Sequence, residues 1–400
     1  MPAVPKLDAI PSQAVEAGCL TIVDADGSER RFTGAADGPR ARIRLTDDTL
    51  LRKILLKPDL YLGEGYMEGG YTIEEGSLYD FLEFCGVNLT GRAVDPKLAA
   101  VFRKSQQKNV IGKARANVAH HYDLSGALYD LFLDDDRQYS CAFYESPDDT
   151  LETAQANKKR RLAAKLLLEP GMRVLDIGSG WGGLALHLAE AAGVEVVGVT
   201  LSKEQHTASE ARAREAGLAD KVRFKLLDYR EDDGRYDRIV SVGMFEHVGM
   251  GHYDEFFQKT RDLLEAGGVA LIHSIGRKDP PGMTNAFLTK YIFPGGYTPS
   301  LSETIAAVER AGLWITDIEI LRLHYAETLR EWNRRFQANR AKAAELYDER
   351  FCRMWEFYLQ SCEVGFRRMG WMNFQLQLAR DVAAVPLSRG YMSEFEGEHR

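Results

Sequence analysis

The sequence VLDIGSGWGGLALHLA, at residues 174–189, combines an apolar run that reaches Asp176, a loop rich in glycine and an apolar segment of helical character. Gly178, Gly180 and Gly182 allow the backbone to turn tightly and to approach a ligand closely. A helix that follows such a loop presents free N–H groups and the positive end of its dipole. The segment therefore predicts a strand, a ligand-binding loop and a helix.

Two classes of cofactor bind loops of this kind. Gly178, Gly180 and Gly183 satisfy the GxGxxG pattern of dinucleotide enzymes, which also place an acidic residue near the end of the second strand. Here the second apolar run ends in Thr200, whereas Asp176 lies on the first strand, two residues before the first glycine. This placement resembles class I methyltransferases and favours S-adenosylmethionine over a dinucleotide. A glycine turn that serves only packing is the remaining alternative.

Apolar runs and amphipathic segments alternate after this loop. The predicted elements are a helix at 184–192, a strand at 194–200, a helix at 203–216, strands at 222–227 and 236–242, a helix at 253–264 and a strand at 268–274. Such alternation predicts a parallel sheet that is covered on both faces. Near the C-terminus the pattern changes to long helices between residues 326 and 369, flanked by strands at 314–321 and 373–379.

The first hundred residues follow a different pattern. Alternating runs at 20–23 and 41–45 predict strands, and Asp47 and Asp48 are candidate caps for a helix at 49–56. A further helix is predicted at 77–85. The glycine-rich and aromatic sequence GEGYMEGGYTIEEG, at residues 63–76, predicts a loop.

These patterns divide the chain into three parts. Residues 1–107 are interpreted as a smaller N-terminal α+β domain that associates with lipid or membrane. A basic stretch runs through Arg103, Lys104, Lys108, Lys113 and Arg115, and residues 108–117 are interpreted as a linker. Residues 118–400 are interpreted as the catalytic domain that uses S-adenosylmethionine.

Composition narrows the class of protein. The formal net charge of −8 does not suit a nucleic-acid-binding protein, which would carry a basic domain. The five cysteines form no CxxC pair, so a structural zinc site is not expected. Their scattered positions are typical of a protein in a reducing cytosol. No secretory signal and no apolar stretch long enough to span a bilayer is evident. We therefore predict a cytoplasmic protein, peripherally associated with the inner face of the cell membrane.

Six further motifs narrow the resemblance to one family. They are HYDLSGALYDLFLDDDRQYSCAFY at 121–144, VTLSKEQ at 199–205, DRIVSVGMFEHVG at 237–249, LIHSIG at 271–276, YIFPGG at 291–296 and HYAETLREW at 324–332. Together they resemble the cyclopropane-fatty-acyl-phospholipid synthase family, which includes the mycolic acid cyclopropane synthases. The resemblance implies an α/β fold with a class I methyltransferase Rossmann-like sheet, mostly parallel with an antiparallel C-terminal strand.

The resemblance also implies which residues hold the cofactor and an ion. The implied cofactor-binding residues are Tyr139, Ser140, Asp176, Gly178, Gly180, Thr200, Leu201, Gln205, Asp228 and Tyr229. The implied residues of a bicarbonate-binding pocket are Cys141, Glu246, His273, Ile275 and Tyr325. No metal is implied.

Bicarbonate in this pocket would act as a general base. A cis alkene that takes up the methyl group becomes a carbocation, and loss of a proton from the new methyl closes a cyclopropane ring. The base must therefore lie beside the methyl group. Glu246 is expected to accept the O–H of the ion, and His273, Tyr325 and the Ile275 N–H are expected to donate to it. The thiol of Cys141 adds a weak donor.

Plainer explanations exist for several of these residues. Cys141 alone would be interpreted as a small buried hydrophobe, and Glu246 as a solvated helix start. His247 and His252 miss the i, i+4 spacing of metal-binding histidines on a helix. Tyr291 and Phe293 suit either stabilisation of a cation or core packing.

The sequence thus predicts an enzyme that transfers a methylene unit to the double bond of unsaturated acyl chains in membrane phospholipids. Three alternatives remain open: methyl or methylene branching without ring closure, methylation of a small molecule, and lipid binding without catalysis. The expected partner is a phospholipid bilayer with unsaturated acyl chains, with no nucleic acid, and a homodimer is compatible with the sequence. Two basic clusters, at 103–115 and 330–342, are expected to meet anionic headgroups.

Overall fold

Residues 15–88 and 125–399 are described by a computed structural model. The basic stretch from Arg103 to Arg115 and the predicted linker at 108–117 lie outside these residues. Within the described parts of the chain, none of the helices has the length and apolar character needed to cross a bilayer.

The N-terminal unit is a small α+β structure. Its elements are β1 (Ala17–Val23), β2 (Glu29–Thr33), β3 (Ala36–Leu45), α1 (Asp48–Leu56), α2 (Pro58–Met67), β4 (Tyr71–Glu75) and α3 (Leu78–Asn88). The four strands form a sheet in the order β2-β1-β3-β4, in which β1 and β3 are parallel. The Asp47 side chain caps α1 by accepting the Thr49 N–H, as the sequence predicted.

The predicted loop at residues 63–76 is wrong. Helix α2 and strand β4 occupy most of this stretch, and only the residues between them turn. Two of the glycines lie buried on α2 because a neighbour leaves no room for a side chain: a Cβ at Gly63 would lie 2.3 Å from the ring of Phe287. These glycines therefore permit close packing of a helix and do not mark a loop.

The second unit contains the larger sheet. Its elements are α4 (Gly126–Tyr129), α5 (Leu151–Leu166), β5 (Arg173–Ile177), α6 (Gly183–Ala192), β6 (Glu195–Thr200), α7 (Lys203–Glu215), β7 (Val222–Leu226), β8 (Tyr236–Val242), α8 (Tyr253–Leu263), β9 (Leu264–Arg277), a π-helix (Leu288–Ile292), α9 (Leu301–Arg310), β10 (Trp314–Leu321), α10 (His324–Ala338), α11 (Arg340–Leu346), α12 (Glu349–Arg368), β11 (Trp371–Ala379) and α13 (Gly390–Glu398).

The seven strands lie in the order β10-β11-β9-β8-β5-β6-β7. Strand β11 is antiparallel to both of its neighbours, and the strands from β9 to β7 are parallel to one another. The predicted fold class is therefore confirmed, including the antiparallel C-terminal strand. Because β5 comes first in the chain and lies between β6 and β8, the strand order reverses beside it, and sheets of this type bind ligands at that point.

Helix α12 joins the two units. A Cβ at Gly86 of α3 would lie 2.6 Å from Val364 of α12, so these helices are in close contact. Ion pairs flank the contact, with Glu68 bound to Arg350 and Glu83 bound to Arg368 at 2.6 and 2.7 Å. One continuous cluster of buried apolar side chains extends across the contact. The N-terminal unit therefore packs against α12 of the second unit.

Candidate active site

The loops that follow β5, β6, β7 and β8 meet at one edge of the sheet and line a cavity with a volume of about 180 Å³. The glycine loop after β5 determines its shape. Gly178, Gly180 and Gly182 all adopt positive φ, at 84°, 53° and 84°. A Cβ at Gly178 or Gly182 would lie within 3.0 Å of a neighbouring side chain, whereas one at Gly180 would meet no protein atom within 4 Å. The backbone of Gly180 therefore faces open space.

All ten residues that the sequence assigned to the cofactor line this first cavity. Three polar groups of residues in its wall are buried without a hydrogen-bond partner, namely Asp176 Oδ2, Ser179 Oγ and Trp181 Nε1. Burial raises the pKa of Asp176 to about 7, and the nearby cation Lys158 lowers it only in part. A ligand with a cationic amino group would satisfy Asp176 and favour its ionised form. S-adenosylmethionine carries such a group, and the cavity therefore fits it.

Other cofactor candidates are fixed by neighbours. Thr200 Oγ1 donates to Gln205 Oε1 at 3.1 Å, and both residues are buried at the start of α7. Asp228 accepts from the Arg230 guanidinium, with Nε at 2.9 Å and Nη2 at 2.7 Å. Arg230 also lines the cavity and was missed in the sequence. Its charge holds the Asp228 carboxylate in place beside Tyr229.

Lys158, on α5, was also missed. It is 1% exposed, and its ammonium group donates to Ser140 Oγ at 2.8 Å and to Gln138 Oε1 at 2.5 Å. Burial lowers its pKa to about 8. The α5 segment has apolar residues at helical spacing, which would have predicted a helix, but its run of four basic residues suggests an exposed face. Only the fold shows that one of these cations lies beneath Ser140.

A second cavity, with a volume of about 100 Å³, adjoins the first. The two share wall residues, among them Ser140, Gly243 and His247. The second cavity contains all five residues that the sequence assigned to an ion-binding pocket, and its remaining wall is largely apolar and aromatic. Polar groups and a place for an apolar chain thus lie side by side, next to the cofactor cavity.

Glu246 is the carboxylate of the second cavity. Its Oε1 accepts the Ile275 N–H at 2.6 Å, while its Oε2 is buried without a partner. Burial raises the pKa of Glu246 to about 7. In this structure the Ile275 N–H therefore orients the Glu246 carboxyl group. The carboxyl group is left poised between its two protonation states near neutral pH.

Three further groups line the second cavity together with Glu246. His273 is 1% exposed, and its ring nitrogens lie 3.1 Å from the Gln375 amide and 3.2 Å from the Asn373 amide. Burial lowers the pKa of His273 to about 3, so the ring is neutral. The Cys141 thiol is fully buried and donates to the Ala142 carbonyl at 3.3 Å, and burial raises its pKa. Tyr325 packs against the edge of Trp332.

The strand order and the glycine loop define the class of protein: this is a class I methyltransferase, and its cofactor is S-adenosylmethionine. The profile of the mycolic acid cyclopropane synthetase family matches residues 110–376. The chain belongs to this family, and the resemblance inferred from its motifs is confirmed.

Relatives of known name support the assignment. The chain is 37% identical over 350 residues to the cyclopropane-fatty-acyl-phospholipid synthase of Escherichia coli K12, covering 86% of this chain and 88% of the relative. It is 38% identical over 381 residues to the tuberculostearic acid methyltransferase of Mycobacterium tuberculosis, covering 90% and 88%. The crystal structure of mycolic acid cyclopropane synthase CmaA1 with SAH and CTAB matches with a TM-score of 0.64 and 36% identity, over 66% of this chain and 98% of that one. The protein is thus an S-adenosylmethionine-dependent methyltransferase of the cyclopropane-synthase type.

Proposed function

We propose that this enzyme transfers a methylene unit from S-adenosylmethionine to the cis double bond of unsaturated acyl chains in membrane phospholipids and forms a cyclopropane ring. The observation that carries the proposal is the second cavity, in which a buried carboxyl group lies among apolar walls beside the cofactor cavity. An acyl chain fits the apolar walls, and the buried carboxyl group fits a reaction that must release a proton.

S-adenosylmethionine supplies an electron-poor methyl group. The double bond of the acyl chain attacks that carbon, and one proton must leave the same carbon for the ring to close. Residues of the protein align the chain and exclude water, which would otherwise capture the cation. Tyr139, whose hydroxyl lies 2.8 Å from that of Tyr358, belongs to the walls of both cavities and is therefore placed to contact both reactants.

Bicarbonate is proposed as the base that accepts this proton. The orphaned Oε2 of Glu246 is an acceptor for the O–H of the ion, and the neutral ring of His273 is a donor for its oxygens. Depletion of carbon dioxide is expected to lower the rate of ring formation, and added bicarbonate is expected to restore it. If neither treatment changes the rate, bicarbonate is not the base, and Glu246 or another group accepts the proton.

A branched product is the second candidate. Its support is the relative named tuberculostearic acid methyltransferase, which matches over 90% of this chain. Mass spectrometry of host lipids with and without the enzyme should show a gain of one CH2 for a ring or for a methylene branch. Chemical derivatisation of the remaining double bonds then separates the candidates, because a methylene branch keeps a double bond and a ring does not. A saturated methyl branch would instead add CH4 to the acyl chain, because its formation also requires a separate reductant.

The N-terminal unit, residues 1–107, is proposed to be the membrane-associated part. Helix α1 ends in two exposed leucines, Leu55 at 40% and Leu56 at 72%, next to the exposed cations Arg52, Lys53 and Lys57. We call these five residues the α1 patch. Apolar side chains flanked by cations suit insertion among anionic headgroups.

The α1 patch lies close to the cavity wall. Helix α2 follows it directly, and Asp59 of α2 accepts the Ala286 N–H at 3.2 Å. Two residues further on, Leu288 lines the second cavity. Contact of the α1 patch with a bilayer would therefore bring the lipid near the site of reaction.

The cluster at 330–342 does not support membrane binding in the same way. Its arginines pair with carboxylates of the chain, as in Arg335 with Glu152 at 2.6 Å and Arg340 with Glu356 at 2.8 Å. Arg330 and Arg334 pair with glutamates on their own helix. Because these arginines pair with carboxylates of the chain, the cluster supports membrane binding less than the α1 patch does.

The double variant Leu55→Asp/Leu56→Asp is expected to bind vesicles of unsaturated phosphatidylglycerol and phosphatidylethanolamine at least about ten-fold more weakly. Burial of a leucine side chain contributes ~1.5–3 kcal/mol, and the new charges also repel the anionic surface. Co-sedimentation measures the effect. The control is Leu387→Asp. Leu387 is fully exposed and lies between β11 and α13 in the chain. Equal vesicle binding by the double variant and the control would contradict a role for the α1 patch.

A further inference from the structure

A line of buried polar side chains runs across three strands behind the second cavity. Glu319 on β10 lies directly opposite Gln375 on β11, and Gln375 lies directly opposite His273 on β9. Residues in direct register place their side chains on the same face of a sheet. Lys165 of α5 covers this face and is 1% exposed.

Hydrogen bonds connect these groups, and the donor and acceptor of each bond can be assigned. Lys165 Nζ lies 2.5 Å from Glu319 Oε2 and 2.7 Å from Gln375 Oε1. An ammonium group only donates, so Gln375 must present its carbonyl oxygen to Lys165. The amide nitrogen of Gln375 then faces His273 Nδ1, at 3.1 Å, and donates to it. Since Nδ1 accepts, a neutral ring of His273 carries its proton on Nε2.

We propose that Gln375 and Lys165 are positioning residues that hold His273 in the Nε2–H tautomer, so that the ring donates a hydrogen bond at the second cavity. This assignment rests on the proposed function, in which an anion in that cavity takes part in the reaction. Neither Gln375 nor Lys165 lines the cavity, so both act through the ring of His273.

Asn373 fits this tautomer once its amide group is turned by half a rotation. Its amide nitrogen, a donor, lies 3.2 Å from His273 Nε2, and its Oδ1 is buried without a partner. The oxygen and nitrogen of an amide exchange places by a half-turn of the group. With Oδ1 toward the ring, the Nε2–H has an acceptor and the orphaned oxygen has a donor. When an anion is present, the Nε2–H and the Asn373 amide can both donate to it.

Nitrogen NMR of the protein labelled with ¹⁵N-histidine tests the tautomer directly. His273 is assigned among the nine histidines by the signal missing from His273→Gln. We expect an unprotonated Nδ1 and a protonated Nε2 in the wild type. In Gln375→Glu the new carboxylate accepts from both Lys165 and His273, so Nδ1 is expected to carry a proton. A wild-type Nδ1–H tautomer, or an unchanged tautomer in Gln375→Glu, would overturn the proposal.

Activity supplies the second measurement. Gln375→Glu and Gln375→Met are expected to lower the rate of ring formation by about 10- to 100-fold with cofactor affinity unchanged, as for other groups that orient a histidine. The ring-forming activity of Gln375→Glu, expressed as a fraction of wild-type activity, should rise as pH falls, because a doubly protonated His273 ring regains its Nε2–H. The charges that face this ring are Lys158 and Lys165, which oppose its protonation, and Glu319, which favours it.

The control is Gln377→Met. Gln377 lies two residues further along β11, is fully buried, and donates to the Lys165 carbonyl at 2.6 Å without contact to His273. The Gln377→Met variant should keep the wild-type tautomer of His273 and the wild-type pH profile of activity. The spectra need neither substrate nor cofactor, so an Nε2–H wild type without ring-forming activity would count against the proposed function and support the assignment. A switched tautomer with full activity would show that the tautomer has no role in the reaction.

Discussion

Glu246→Gln is expected to lower the rate of ring formation by ~100- to 10,000-fold, the range typical of a well-placed general base. Glutamine preserves the acceptor for the Ile275 N–H but cannot accept the proton of a bound ion or ionise. Cofactor affinity, measured by calorimetry, should be unchanged. Because the pKa of Glu246 is about 7, wild-type activity should also fall as pH drops below neutrality and this group becomes protonated.

The same variant should be more stable than the wild type at high pH. Burial raises the pKa of Glu246 from 4.5 to about 7, so the folded state favours the protonated form. The stability that this protonated group contributes is fully present below pH ~4.5 and is lost as pH rises through ~7. At pH 8 the wild type buries an ionised carboxylate, and Glu246→Gln does not. Its free energy of unfolding is expected to exceed that of the wild type by up to about 3 kcal/mol, a gain that vanishes in acid.

Glu255→Gln provides the matched control. Glu255 lies nearby in the chain, at the start of α8, but its side chain is half-exposed and pairs with His252. It should change neither ring formation nor the pH profile appreciably. If Glu246→Gln forms rings at the wild-type rate, and the rate is also indifferent to bicarbonate, the base lies elsewhere. The branching hypothesis would then move ahead of ring closure.

Gly180→Val is expected to reduce the affinity for S-adenosylmethionine by at least about 100-fold. Gly180 lines the first cavity, and a Cβ there would meet nothing within 4 Å beyond the adjacent residues, so the two methyl groups of valine are expected to occupy space that the cofactor requires. The φ of 53° adds strain, since a β-branched residue rarely adopts it. Isothermal titration calorimetry measures the loss, and circular dichroism verifies the fold.

Gly171→Val separates strain from obstruction. Gly171 also has a positive φ, of 83°, and open space at its Cβ, but it is exposed in the turn before β5 and lies outside the cavity wall. It should lose stability without losing cofactor affinity. Similar affinity losses in the two variants would indicate that strain alone weakens the binding and that the loop does not contact the cofactor.

Local patterns and family motifs in the sequence were sufficient to predict the fold and ten residues in the wall of the first cavity. Alternating strands and helices predict a parallel sheet, and the glycine loop after Asp176 marks the point where its strand order reverses. The family motifs identify the remaining residues of the cavity wall. Each of these signals depends on neighbours in the chain, on hydrophobic period or on the φ that glycine permits. The prediction of a loop at residues 63–76 failed because a glycine suited to close packing against Phe287 has the same local pattern as a glycine in a loop.

What only the tertiary structure decided is how the polar groups behind the site are paired. Gln375 contacts His273, 102 residues away in the chain, because of the register of β9 with β11. Lys165 contacts Gln375, 210 residues away, because α5 packs over these strands. The destination of the Ile275 N–H and the raised pKa of Glu246 likewise follow from burial that no single segment encodes. Burial and register depend on the whole fold, because a polar side chain has the same appearance in the sequence whether it faces water or a partner across the sheet.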